Sequence, residues 1–465
     1  MKERLSSILA DFICDTSSFL LSSRASRLAT ASILDTVAVA VAGSVESAAL
    51  KAEETFLAGE DTANGLLWMR GKGSADQHAL VLGAAAHALD YDDVIMDIIA
   101  HPSAPVLAAL LPLTQDRHVS GRELIEAFVV GTEVMVQLGR CMGFHHFALG
   151  FHSTATLGAI GAAAGCARLL RLDHSQSVAA LSIASSMASG VRANFGSMVK
   201  PLHVGLASSS GVRAAMLAAS DYSGAKEALE GAEGFLAAYS GGQTINASPD
   251  LSIGHVLAIE DPGFSLKRYP CCYMTHKLIR GALDLRSEGM RLEDIRTVRA
   301  IMPGGGTKPL IHPFPLTGLN AKFSGPYTIL AALADDRVDL ASFADEAVLR
   351  PRIQSRLSCV VLEEQGGVLA TGGEVGDAPI RLVVDLLDGS RREVEVKVAP
   401  GSPEDPMTTD QLRAKWTDCF ATRANHIRPG SSDTAGLTQT FDAGLGLDDC
   451  ADASRWIAMA TANCA

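Results

Sequence analysis

The chain has 465 residues, 48% hydrophobic and 20% charged, with a formal net charge of -13. That length exceeds one compact core and points to two domains. The acidic balance argues against a nucleic-acid or acidic-membrane surface, though it leaves room for a local cationic pocket. Nine scattered cysteines with no CxxC pair fit reduced thiols rather than a disulfide framework or a cysteine metal site. No stretch reaches ~18 uninterrupted apolar residues. Asp35 interrupts the most apolar segment, and MKERLSSILADFI lacks a signal-type core. A cytoplasmic protein with no membrane partner is expected.

Residues 1 to about 255 read as helices. SRASRLATASILDTVAVAVAG carries helical apolar spacing and stops at Gly43. Ser120 and Glu123 form a capping box ahead of LIEAFVVGTEVMVQLG, and Asp173 with Gln176 opens another helix running to Gly190. After residue 255 the pattern changes. RTVRAIMPGGG and IRLVVDLLDGSRREVEVKVAP have β character, with Asp388-Gly389 as a hairpin turn. GPYTILAALADD between them is helical, and helix returns after Pro406.

Four stretches carry chemistry. HALDYDDVIMDIIAHPSAPV, from His87, predicts a helix with His87, Asp90 and Asp93 on one side, broken near His101 by Pro102 and Pro105. A carboxylate facing a histidine on a fixed loop suits proton transfer; a solvated helix end gives the same pattern. His87, Asp90, Asp93 and His101 lack a second cluster to complete a known ligand spacing, so no metal is expected. In GFHSTATLGAIGAAAG, His152 precedes a helix capped by Ser153 and Thr154, a position that favours neutral imidazole. In SGVRANFGSMVKPLHVG, Arg192, Lys200 and His203 place three cations in one loop, a carboxylate clamp. LKRYPCCYMTH follows; Cys271 and Cys272 are too close in sequence for an unstrained disulfide. Pro303-Gly-Gly-Gly-Thr307 lacks phosphate-loop spacing and reads as a strand end.

These stretches, in this order, resemble the signatures of the MmgE/PrpD family: HALDxDD with HPSAPV, GFHPTAT, and RxNFGTMxKPLHxG. The family includes 2-methylcitrate dehydratase, cis-aconitate decarboxylase and iminodisuccinate epimerase. The resemblance spans nearly the whole chain, with SPEDPMTTDQLRAKW matching the family's linker back to the helical domain. It implies a mostly α fold with an inserted α+β domain. Residues 1–260 and 405–465 would build a large all-helical domain, and 261–404 a smaller α+β lid. It also implies a homodimer, a small anionic polycarboxylate substrate and no cofactor.

By the same resemblance, Asp90, His101, His152 and Lys200 are the catalytic candidates. Arg192, His203, Lys267, Cys272 and Tyr91 are the substrate-binding ones. Three departures stand out: Val94 for a threonine, Phe147 for a tyrosine, and Ser153 for a proline. Cys272 stands where decarboxylase members carry histidine. The expected reaction starts with removal of a proton α to a carboxylate without a cofactor. Dehydration like that of 2-methylcitrate dehydratase ranks first, epimerisation or racemisation second, and decarboxylation third.

Overall fold

The computed structural model describes residues 5–14, 21–59, 65–115, 117–241, 253–254, 256–368, 372–429 and 434–464. The chain divides into two compact units, Met1–Phe264 with Thr408–Ala465, and Ser265–Met407. The fold is mostly helical, with one small α+β unit inserted.

The first unit opens with helices α1 (Leu5–Cys14), α2 (Ser23–Gly43), α3 (Ser47–Phe56), α4 (Ala75–Ala88) and α5 (Ser103–Leu113). It continues through α6 (Gly121–Ala148), α7 (Ser153–Leu169), α8 (His174–Met187) and α9 (Val199–Ala219). α2 is long and apolar enough to cross a membrane, and 83% of its apolar window is buried within the unit. Its N-cap Ser22 accepts a hydrogen bond from the Ala25 N–H. The expected capping boxes form at Ser120/Glu123 and Asp173/Gln176, each satisfying N–H groups that a helix start leaves unpaired. α8 stops at Met187, short of Gly190. The helix Thr409–Ile427, capped by Thr408 and Gln411, packs on α2 and buries Leu412, Trp416 and Phe420.

α4 and α9 pass each other antiparallel: Asp76 near the start of α4 accepts from Arg213 late in α9, at 2.5 Å. Midway the two backbones touch. A Cβ on Gly205 would lie 2.3 Å from Leu80 O, and one on Gly83 2.9 Å from Gly205 Cα. Only glycines permit that approach. It brings the C-terminus of α4, with His87, beside the first turns of α9, with Lys200 and His203.

The second unit holds a four-stranded sheet ordered β2-β1-β3-β4. β1 is Ile295–Gly304, β2 Val360–Val368, β3 Ile380–Leu386 and β4 Arg391–Val396. β1 pairs parallel with β2 and antiparallel with β3, and β3 and β4 form the expected hairpin. Gly389 takes the left-handed φ of 87° that this turn requires. The alternating burial of β1 feeds Val298, Ala300 and Met302 into one core. Leu278 and Ile279 of the helix His276–Ser287, and Ile329 and Leu330 of the helix Gly325–Asp335, complete it.

Candidate active site

The expected helix through Asp93 does not form. α4 ends at Ala88, and Asp90 adopts a left-handed φ of 52°, with its N–H donating to His87 O at 3.2 Å. Aspartate tolerates this conformation better than most residues, and it turns the chain out of the helix. The turn decides which carboxylate does what. Asp92, five residues after His87, swings back beneath it, 2.8 Å from Nδ1 to Oδ2. Asp93 turns instead to Ser103, accepting its backbone N–H at 3.2 Å and its hydroxyl in a short bond. Burial, aided by the charge of Asp92, pushes Asp93 up to about 8, which favours its neutral form at pH 7.

His101 sits immediately before α5, as the proline pattern suggests, and its backbone N–H donates to Thr154 Oγ1 at 3.2 Å. Its Nδ1 lies 3.4 Å from Asp92 Oδ2 and its Nε2 3.9 Å from Asp90 Oδ1. The ring is edge-on to His87, with centroids 4.6 Å apart. One carboxylate therefore faces two Nδ1 atoms. An ionised carboxylate only accepts, so its bond to His87 selects the Nδ1–H tautomer of that ring, and its charge 3.4 Å from His101 Nδ1 favours the same tautomer there, which would leave each Nε2 with a lone pair. The His87 Nε2 is buried with no hydrogen-bond partner among the described residues. The His101 side chain is 13% exposed, against 0% for His87 and Asp92, so of the two rings His101 is the one that solvent reaches.

Lys200 and His203 lie in the first turn of α9 rather than in a loop; Pro201 between them suits that turn. Lys200 Nζ is 2.5 Å from Asp90 Oδ1 and 5.3 Å from the centre of the Phe195 ring. His152 occupies the N-cap position of α7 with its N–H on Gly190 O, but its side chain makes no capping bond. Its Nδ1 is 3.1 Å from His203 Nδ1, so one ring donates and the other accepts. Gly190 has φ 133°, and a Cβ there would meet Ala155 Cβ at 2.8 Å. Burial first, then the nearby positive groups, hold His152 well below its ordinary value. His87 and His203 are lowered for the same leading reason. Burial thus favours the neutral form of these three imidazoles.

The first unit thus brings together Asp90, His101, His152, Lys200 and His203, and adds Asp92, His87 and Phe195. Arg192 is engaged nearby: its guanidinium lies 3.8 Å over the Phe147 ring and donates to Phe147 O. The Tyr91 ring lies under a buried ammonium, Lys415 Nζ, at 3.7 Å. Lys267 and Cys272 belong to the second unit. Both are buried there, and the Cys272 N–H donates to Lys322 O at 3.0 Å. All nine cysteines are free thiols.

The metal-competent group is His87, Asp90, Asp92 and His101, with one ligand atom from each lying within 4.8 Å of the others. Asp92 takes the place the sequence suggests for Asp93. Lys200 already brings a positive charge to Asp90. The bond from His101 N–H to Thr154 and the pairing of His152 with His203 also draw three helix N-termini, those of α5, α7 and α9, onto one spot. Helix N-termini carry partial positive charge and attract anions.

Comparison with known proteins agrees with the motifs. The model for the MmgE/PrpD N-terminal domain matches residues 7–248, and that for the MmgE/PrpD C-terminal domain matches 269–428. The chain belongs to the MmgE/PrpD family. Cis-aconitate decarboxylase of Homo sapiens is 29% identical over 396 residues, 80% of this chain and 77% of the relative. The Mus musculus cis-aconitate decarboxylase is 27% identical over 399 residues, 81% and 77%. A cis-aconitate decarboxylase-like protein, oryM, of Aspergillus oryzae is 24% identical over 404 residues, 82% and 81%.

Within this MmgE/PrpD chain, Asp92 is the site residue that sequence reasoning passed over. It was visible in HALDYDD, but a helical reading puts it off the His87–Asp90 face. Phe195 carries no chemical signal within SGVRANFGSMVKPLHVG, and Lys415 lies inside the stretch that matches the family's linker.

Proposed function

We propose that this MmgE/PrpD chain is a cofactor-independent lyase that removes a proton α to a carboxylate of a small polycarboxylate. The observation that carries this reading is the meeting of Lys200 and three helix N-termini with His101, whose Nδ1 faces Asp92. The cationic elements hold a substrate carboxylate and stabilise the enolate charge that develops as the C–H bond breaks. His101 Nε2 takes the proton. The electron pair closes the carbon–carbon double bond, and a β-hydroxyl departs as water with the proton that His101 has taken. The named relatives act on cis-aconitate, itself a small polycarboxylate, which supports the substrate class.

Epimerisation is the second reading. Val94 and Phe147 place methyl and phenyl groups where many family members have hydroxyls able to help a leaving group. The same deprotonation, with the proton returned to the opposite face, needs no leaving group.

Incubation with a panel of hydroxylated and unsaturated di- and tricarboxylates in deuterated water, followed by NMR, separates these outcomes. Alkene formation with loss of water is the expected result. Deuterium exchange with inversion and no net loss means epimerase. Carbon dioxide release, the activity named for the relatives, would replace dehydration by decarboxylation. No exchange or turnover with any member of the panel would overturn the carboxylate reading.

A further inference from the structure

The turn after α4 carries Asp90 and Asp92, and its backbone is held in a conformation that L residues disfavour. Asp90 has φ 52° and, nine residues on, Ile99 has φ 47°. Such a backbone persists only where its surroundings over-determine it. One of those surroundings comes from far along the chain. Lys415, on the helix Thr409–Ile427, donates from Nζ to Tyr91 O at 2.9 Å and lies 3.7 Å over the Tyr91 ring. Its counter-ion is Asp35 of α2, at 2.7 Å, and both side chains are 0% exposed. Tyr91 stands between Asp90 and Asp92, so its carbonyl is the point at which both carboxylates are fixed.

We propose that Lys415, neutralised by Asp35, is a positioning residue: it pins Tyr91 so that Asp90 meets Lys200 and Asp92 meets His87 and His101. Stability alone does not account for it. Two charges buried in a core of Leu, Val and Ala pay a desolvation penalty, and apolar replacements of similar volume are often as stable or more so. What a lysine supplies and an apolar side chain does not is a donor for a buried carbonyl together with a cation for the ring above it. The proposal rests on reading Asp90 and Asp92 as part of the reacting site.

The test compares the wild-type full chain with K415M/D35L, which removes both charges, and with K415Q, which keeps an N–H donor. Melting temperature, kcat, KM and the 15N imidazole signals of His87 and His101 are read for each. K415M/D35L is expected to melt at or above the wild-type temperature while kcat falls by about 10²-fold, as misplacement of a reacting group does. Its two imidazoles lose the favoured Nδ1–H tautomer. K415Q keeps more of kcat and of the imidazole signals but melts lower because it strands Asp35, and it decides the matter alone if the double variant does not fold. Wild-type kcat and imidazole signals in K415M/D35L, or in K415Q a loss of kcat as large as that of melting stability with unchanged imidazole signals, would make Lys415 merely structural. The imidazole signals do not depend on the reaction. A wild-type chain that turns over none of the panel would sink the functional reading and still leave this one decided.

Discussion

Lys200 Nζ and Asp90 Oδ1 lie 2.5 Å apart, each side chain only 9% exposed, and this bond joins the start of α9 to the turn after α4. The pairing changes what a substitution at Lys200 does. The ammonium is expected to hold a substrate carboxylate, yet removing it also strands a buried aspartate. Lys200→Met should therefore lower the melting temperature, by about 3–5 kcal/mol of stability, as well as weaken ligand binding. Pairing it with Asp90→Asn should restore most of the melting temperature, because neither charge is left alone, and should restore no activity. Calorimetric binding of a tricarboxylate beside thermal unfolding checks both halves. Unchanged binding and melting in Lys200→Met would remove Lys200 from the site.

The base assignment is tested at His101 and at the carboxylate behind it. His101→Gln keeps size and polarity but shuttles no proton near neutral pH. It should lower kcat by about 10²–10⁴ with substrate still bound. Asp92→Asn removes the charge that favours Nδ1–H on both rings and leaves them one acceptor oxygen in place of two. Its kcat should drop as well, with KM little altered. Full turnover by His101→Gln would shift the base to the His152–His203 pair.

The parts of the fold that were legible were local. Ser120/Glu123, Asp173/Gln176 and Asp388-Gly389 each declare a helix start or a turn within four residues, and each forms. The site was half legible. Cations, acids and imidazoles were visible as motifs, but the choice between Asp92 and Asp93 depends on a single left-handed residue, Asp90. Periodicity carries no signal for that. β2 was not read from sequence because VVLEEQGGV lacks clean alternation; its parallel pairing to β1 comes from sixty residues away in the chain, as Val298↔Val360. Lys415 is further still from Tyr91, and nothing near either residue announces the other.

Turnover is expected to survive exhaustive chelation. The argument is the occupation of the cluster's acids: Asp90 is bonded to Lys200, and Asp92 faces the Nδ1 atoms of His87 and His101. A divalent ion would have to displace an ammonium already in contact with Asp90. The check is kcat after dialysis against a chelator, followed by single additions of magnesium, manganese, iron(II) and zinc. Activity lost on chelation and regained with one of them would refute the ammonium's role as resident cation.

The pH dependence of stability should have two limbs of different origin, and Asp93 allows them to be separated. Burial holds this carboxyl's folded value at about 8, against 3.8 for the ordinary group. Between those values the folded chain binds a proton that the unfolded chain has released. The contribution is complete below 3.8 and is lost as pH rises towards 8. His152 has the opposite sign. Its folded value lies well below 6.5, so its contribution is present above 6.5 and is lost as pH falls. Asp93→Asn imitates the protonated acid: its oxygen accepts the Ser103 N–H, and its amide donates to the Ser103 oxygen once that hydroxyl turns its hydrogen away. The variant should melt closest to wild type near pH 3.8, and the gap should widen in its favour as pH rises to about 8 and level off above it. Its acid limb should stay where it was, since the imidazoles are untouched. Melting curves for both proteins across the pH range read this directly. A decline between pH 3.8 and 8 equally steep in Asp93→Asn would mean that Asp93 is already ionised in the folded protein.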